Sequence, residues 1–526
     1  MPLPTAETPW PPVDPQVQTC LADWDAWYSA DPDRLEFRYQ NRGYREPVDR
    51  PSQFRGGIVG RIARWFWGNP TTPGEKRTKL HVPLAGDIAR TSSELLFSEP
   101  PKLLSGRTGT QDRLDELMNG GLQPALLEAG EVGAALGGAY MRVVWDESVS
   151  DRPWIDSVAA DRAIPEFRYG RLSAVTIWTV VEQEDTRRVL RHLERHERGV
   201  IFHGLYDGSL TSLGRLVPLT EHPSTAPLAK MVDREGAIQT GAPKHLTASF
   251  APNVRPARAW RHIPTAAYWG QSDYQGIEGL MDALDETYSS WMRDVQNGKG
   301  RVVVPNSMLE SQGPGQGATW NEERRIFSGL NMLPRPGDPN PLTVVQFAIR
   351  VQEHRDTCAE LIEQAVRQAG YSASTFGVTG DGSAVTATEI RARERRSMST
   401  RGRKALYWGP ALSDITAALL AVEAGDRFRV KGLDLNEAPD VEFQDSISES
   451  PSELATTAQA LRTAEAASTE TLVRMIHPDW DDARVQKEVD GINSESGRAV
   501  SDPTQTGVEG GPPDAGIPSD GGGSSG

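Results

Sequence analysis

Residues 273–296 read DYQGIEGLMDALDETYSSWMRDVQ. Apolar side chains recur every three or four positions, so Ile277, Leu280, Met281, Leu284, Tyr288, Trp291 and Val295 fall on one stripe of a helix. The opposite face is acidic, with Glu278, Asp282, Asp285, Glu286 and Asp294. Such a helix needs a packing partner for its stripe. A second amphipathic helix is expected over 344–368, with Val351, His354, Cys358, Leu361, Ile362 and Ala365 on one side and Gly370 as its stop. Between the two lie a short strand, 301–304, and a Gly/Pro-rich stretch through 341. Two long helices bracketing a small irregular module set the frame for the rest of the chain.

Upstream, residues 139–145, 154–158, 174–182, 189–197 and 200–206 are short runs rich in β-branched and aromatic residues, hence strands, with Arg198-Gly199 as a hairpin turn. Helices are expected before them, at 20–30, at 83–98 and at 112–136. Pro83 suits a first turn and Pro100-Pro101 a stop, while Gly120-Gly121 and Pro124 break the last of these helices. Residues 208–262 read as irregular. Downstream, 371–385 is a Gly/Ser/Thr loop, and Thr386-Ala-Thr-Glu389 has the capping-box pattern that opens a long helix to about 424, kinked at Gly409-Pro410. Strands over 428–443 and helices over 452–476 and 482–492 follow. The fold class is α+β. The Gly/Ser/Pro-rich residues 494–526 read as disordered.

The chain has 526 residues, with 56 Lys and Arg against 72 Asp and Glu, for a formal net charge of −16. A protein that grips nucleic acid over its whole surface would be basic. Two cysteines exclude a disulfide scaffold and a Cys-rich zinc module. Met1-Pro-Leu-Pro-Thr5 lacks the basic and apolar regions of a signal peptide, and no membrane span is expected. The basic-aromatic run at 61–67 reads as a helix packed on its own protein, with membrane or nucleic acid as the other possible contact.

No motif carries catalysis. The run Gly377-Val-Thr-Gly380-Asp-Gly382 lacks the Lys of a phosphate-binding loop, and no Gly-x-Ser-x-Gly elbow occurs. His192-Leu-Glu-Arg-His196 has its Glu misplaced for a zinc helix and alternates like a strand, so its histidines are expected at the surface of a hairpin. No catalytic residue, metal ligand or cofactor is expected. A basic cluster, Arg391, Arg393, Arg395, Arg396, Arg401, Arg403 and Lys404, suits either phosphate contact or pairing with acidic helices of a neighbouring subunit.

Several segments, taken in order, resemble tailed-bacteriophage portal proteins, the head–tail connectors. They are Leu80-His-Val-Pro-Leu84 through Phe97-Ser-Glu-Pro-Pro101; Ala139-Tyr-Met-Arg-Val-Val-Trp-Asp146 with Ile164-Pro-Glu-Phe167; Gly279-Leu-Met-Asp-Ala-Leu-Asp-Glu286 followed by Arg301-Val-Val-Val-Pro305; Gln346-Phe347 through Ala369-Gly370-Tyr371-Ser372; and Thr386-Ala-Thr-Glu-Ile390. The resemblance covers about 80–490. It implies an arm (1–79), a wing (80–270), a stem helix (271–300), a small α/β clip (301–342), a returning stem helix (343–370) and a tunnel loop (371–385). A long kinked helix (386–425), further wing strands (426–450), a helical crown (451–493) and the tail (494–526) complete the portal-type fold.

The resemblance further implies a homo-oligomeric ring, commonly of twelve subunits, at one capsid vertex of the virion, assembled in the host bacterial cytoplasm. Double-stranded DNA passes its channel. The large terminase and head-completion or adaptor proteins dock on it, major capsid and scaffold proteins surround it, and no membrane or cofactor is involved. Such a protein is not an enzyme. Tyr371, Ser372, Ser374, Thr375, Phe376, Thr379, Asp381 and Ser383 would form the tunnel loop. Ile277, Leu280, Leu284, Tyr288 and Trp291 would pack stem helices together. Glu278, Asp282, Asp285 and Glu286 would face the channel or a neighbouring subunit, and Arg324 and Arg325 of the clip would meet a partner. Another minor head or scaffold protein, or a hydrolase with an unrecognised site, are the other readings.

Overall fold

The structure is a computed structural model. It describes residues 3–4, 8–41, 80–297, 301–303, 310–311, 318–319, 343–345, 350–377, 387–444, 451–477, 480 and 482–495. The basic run at 61–67, Arg324 and Arg325, most of the clip, Thr386 of the expected cap and the tail beyond 495 lie outside these residues. The chain divides into two compact units, Met1–Gln444 and Asp445–Gly526.

In the first unit the N-terminal helix, Pro15–Ser29, starts earlier than expected. Pro15 sits in its first turn, and the Asp14 carboxylate accepts from Gln16 N at 2.8 Å. Helices Leu84–Phe97, Thr108–Leu117 and Gln123–Leu136 follow the expected pattern, and the break falls at Gly121, whose φ of 114° no helical residue adopts. The strands are β1 (Lys102–Leu104), β2 (Gly138–Val144), β3 (Trp154–Ala159), β4 (Ala163–Arg168), β5 (Arg171–Gln183), β6 (Val189–Glu197), β7 (Val200–Ser209), β8 (Ser212–Val217), β9 (Ala237–Gln239) and β10 (Ala248–Pro252). Three of these, β8, β9 and β10, lie in the stretch expected to be irregular. They are short and flanked by Pro and Gly, which hides their alternation, and pairing to longer strands supplies their order.

All pairing among the described strands is antiparallel. One sheet runs β4-β5-β6-β7-β8, with β9 also on β7, and a second runs β10-β2-β3. Short strands β11 (Arg301–Val303) and β14 (Thr343–Val345) pair with each other, as do β12 (Glu310–Ser311) and β13 (Ala318–Thr319). The strands expected over 428–443 reduce to β15 (Asp440–Glu442), which pairs with β1. Asp434, Asn436 and Pro439 favour turns over a ladder, and Asn436 N donates to Asp434 Oδ1 at 3.0 Å.

The helices Glu278–Asn297, Val351–Ala369 and Ala387–Ala424 complete the unit. The main core gathers Trp24, Trp27, Ile88, Tyr140, Trp260, Ile277, Leu284, Val366 and Tyr371; a second gathers Phe97, Leu114, Leu126, Trp408, Leu412, Ile415 and Leu419. Each large side chain buried this way stabilises by about 1.5–3 kcal/mol. Part of the long helix, Glu394–Ala424, is apolar enough by length and composition to cross a membrane, contrary to expectation. Its buried Trp408, Leu412, Ile415 and Leu419 make it a core helix here.

The second unit has helices Pro451–Thr463, Thr469–Ile476 and Asp482–Glu495, so the helix expected over 452–476 is two and the last runs two residues into the expected tail. Ser468 caps the middle helix by accepting from Thr471 N at 3.2 Å. Val473, Val485 and Val489 form its core.

Candidate functional site

The two amphipathic helices, Glu278–Asn297 and Val351–Ala369, pack on each other within one chain. At one end, Asp294 near the close of the first accepts from Arg350 at 2.9 Å and His354 at 3.0 Å at the start of the second. These partners hold the Asp294 carboxyl below its usual range, the His354 hydrogen bond most strongly. At the other end, Tyr371, just past the second helix, meets Asp273, just before the first. The pair is therefore antiparallel.

That second end is a buried polar hub. The Asp273 carboxylate accepts from Asn253 Nδ2 (2.8 Å), Tyr371 Oη (2.7 Å) and Lys404 Nζ (2.6 Å). Lys404 also donates to Ser92 Oγ at 2.6 Å and Tyr371 Oη at 2.8 Å. Asp273, Tyr371 and Lys404 are all buried. Burial lowers the Lys404 pKa, opposed by the Asp273 charge, and burial with that charge raises the Tyr371 phenol well above its usual value. Every member is bonded, which a polar group removed from water requires. The hub joins helix Leu84–Phe97, the end of β10, both helices of the pair at this end and the long helix. Gly370 makes the turn into it at φ 105°, where a Cβ would lie 2.9 Å from Thr400 Oγ1.

This geometry corrects several expectations. Tyr371 and Ser372 are buried at the root of the loop rather than lining a channel; Ser372 N donates to Ser397 Oγ at 2.9 Å. Ser374, Thr375 and Phe376 are partly exposed and form a short 3-10 turn, with Thr375 Oγ1 2.8 Å from Ser397 Oγ. Thr379, Asp381 and Ser383 lie outside the described residues. Ile277 and Leu284 pack into their own chain's core, with Leu280 and Tyr288 against its edge, and that core includes Cys358, Ala365 and Val366 of the returning helix. Trp291 is partly exposed and lies parallel to the His354 ring at 6.2 Å.

The acidic face divides too. Asp285 is buried, accepting from Val82 N at 2.9 Å and lying 2.8 Å from His81 Nδ1, so it holds the entry to helix Leu84–Phe97 and faces no channel. Glu278 accepts from Trp24 Nε1 at 3.1 Å and Gly276 N at 2.8 Å, while Glu286 is exposed and pairs with Arg293 at 2.7 Å. Asp282 is partly exposed. In the basic cluster, Lys404 belongs to the hub and Arg401 donates to Leu95 O at 2.6 Å and to Gln444 O. Neither is available to phosphate. Ser397, Arg401 and Lys404 continue the Trp408, Leu412, Ile415 stripe backward in steps of three and four, a spacing that marked them as inward-facing.

The expected surface histidines are not at the surface. His192 is half-buried, His203 is 9% exposed and His196 has no exposure, all around Glu194 between β6 and β7. The residue missed in sequence was His203, which register alone places opposite Glu194.

Residues 266–502 match the family model described as "Phage portal protein, SPP1 Gp6-like". That stretch holds the helix pair and, of the hub, Asp273, Tyr371 and Lys404. No curated protein is significantly similar to the chain. Among solved structures, "Neck of native GTA particle computed with C12 symmetry" is similar at 13% identity and TM-score 0.37, over 82% of this chain and 92% of that one. "Virion of native gene transfer agent (GTA) particle" is similar at 13% identity and TM-score 0.36, over 80% of this chain and 99% of that one. Likenesses that weak carry no argument about assembly. The family match bears out the portal resemblance read from the sequence.

Proposed function

For this chain, whose residues 266–502 match a phage portal family model, we propose the role of a portal protein, a ring-shaped channel at one capsid vertex. Double-stranded DNA would pass it during packaging and ejection. The single observation that carries the proposal beyond the family is the antiparallel helix pair whose loop-side end is locked by Asp273, Tyr371 and Lys404. A loop that brushes moving DNA needs a root that does not move with it, and a buried, fully bonded hub on five segments supplies one.

Charge supports the same reading. At −16 per chain the protein repels phosphate on average, which lets DNA slide. Extensive Lys and Arg contact would make binding tight and steeply salt-dependent. Twelve subunits, a large terminase docking on the clip through Arg324 and Arg325, later head-completion proteins, and surrounding capsid and scaffold proteins remain part of the proposal. Ser374, Thr375 and Phe376, with Thr379, Asp381 and Ser383, are its candidate loop contacts, and Glu278, Asp282 and Glu286 its candidate channel or intersubunit acids.

Negative-stain electron microscopy of the purified chain, with light scattering for mass, tests this. Rings with a central hole and a mass near twelve protomers are expected. A monodisperse monomer that stays monomeric when co-expressed with its scaffold protein would overturn the proposal.

A further inference from the structure

Two neighbouring strands place three ligand-bearing side chains together. His192 and Glu194 lie on one face of β6, and His203 lies on β7 directly opposite Glu194. Their donor atoms fall within 4.8 Å of one another. His192 Nε2 and His203 Nδ1 are 3.1 Å apart, with ring planes only 7° from parallel. Two nitrogens bound at ~2.0–2.1 Å to one tetrahedral ion sit about 3.3–3.4 Å apart. The nitrogen separation is therefore within a few tenths of an ångström of a chelating pair, and each ring would turn about its χ angles to aim its lone pair at the ion rather than at the other nitrogen.

We propose that His192, Glu194 and His203 form a binding site for one divalent transition-metal ion of the zinc class. Two imidazoles and one carboxylate are a donor set that zinc accepts, with a fourth position left open. That position has room: the three residues line a cavity of about 770 Å³, walled by Trp145, Met231, Ile238 and Phe428. The surroundings also fit a ligand set. His196, 2.8 Å from Glu194 Oε1 and held at its other ring nitrogen by Thr247 Oγ1 at 2.8 Å, orients the carboxylate. Arg142 donates to Glu194 Oε2 at 2.7 Å, and its second partner, Asp156 at 2.8 Å, keeps its charge balanced when the carboxylate turns to an ion.

Protonation agrees with this. Burial lowers the pKa of His192 and takes that of His203 down to about 4, so both imidazoles are neutral at pH 7. Glu194, drawn well below its usual range by Arg142 and His196 against the effect of burial, is ionised. One hydrogen now bridges the two facing nitrogens. On binding it transfers through solvent to the other nitrogen of its own ring, so both rings stay neutral and no net proton is released. A bound ion would clamp β6 to β7 and hold the cavity wall.

The full chain, dialysed against chelator, is titrated with Co²⁺ followed by absorption and with Zn²⁺ followed by calorimetry. One ion per chain is expected, with a four-coordinate cobalt spectrum and a zinc X-ray absorption fine structure containing two imidazoles. His192→Gln, at the half-buried ligand, and His203→Gln are each expected to weaken binding at least about tenfold, while Cys358→Ser leaves it unchanged. If His203→Gln does not fold by circular dichroism, His192→Gln and the wild-type absorption measurement decide. No saturable binding, fewer than two imidazoles around the ion, or undiminished affinity in folded His192→Gln would overturn the site. Ring formation is read separately, so neither result stands for the other.

Discussion

Lys404 Nζ lies 2.6 Å from Asp273 Oδ2, and both side chains are buried although 131 positions separate them in sequence. Removing one member leaves the other charge without its partner in the interior. Asp273→Asn is expected to destabilise the chain by about 3–5 kcal/mol in urea unfolding. Asp273→Leu with Lys404→Met should cost less than the two single changes summed. Additive losses in that cycle would show that the pair does not couple.

Leu284 and Glu286 sit two residues apart on one helix with opposite surroundings. Leu284 is in the main core, so Leu284→Ala should cost roughly 2–5 kcal/mol, and Leu284→Asp should give insoluble or unfolded protein rather than folded subunits that fail to close a ring. Glu286→Gln, on an exposed pair with Arg293, should change stability by less than about 1 kcal/mol. Folded, monomeric Leu284→Asp would place that stripe between subunits after all.

Acid should weaken the sheet around His203. The unfolded chain takes up the proton near pH 6.5, whereas the folded one resists until about 4. The unfolded state therefore binds more protons across that window, and stability falls as pH drops through it, by up to about 3 kcal/mol from this residue. Glu194 acts in the same direction, since a carboxylate held low in the folded state loses its stabilisation as acid is added. Urea midpoints at pH 7 and pH 4.5 measure the drop, and His203→Asn should flatten it. An unchanged slope in that variant would assign the loss elsewhere.

Gly370→Ala tests the turn into the hub. A left-handed residue with a Cβ costs about 1–2 kcal/mol, and here the new atom also meets Thr400 Oγ1 at 2.9 Å. Thermal unfolding should shift downward, and proteolysis after 377 should quicken as the loop root loosens. A neutral substitution would show that the turn relaxes freely.

The portal reading was legible in the sequence because it rests on local patterns in order. Stripes at three and four residues, proline stops, Gly370 and alternating β runs are short-range consequences of helix and strand geometry. Helices 83–98 and 112–136 and strands 189–197 and 200–206 could therefore be read from neighbouring residues alone. What each stripe covers was not legible. A periodic face reports that a side chain turns inward, not which segments meet it there; Ile277 and Leu284 meet the N-terminal helix and Trp260 as well as the returning helix. Charge misled for a related reason. Lys404, Arg401 and Asp285 carry the composition of a surface, yet partners 131 to 306 positions away bury them. His203 joined His192 and Glu194 only when strand register set β7 beside β6. The sequence determined most of the helices and long strands, their order and the portal resemblance, because backbone geometry acts over a few residues. Tertiary structure decided which polar groups are buried and with whom, because a charge leaves water only where distant segments converge to bond it.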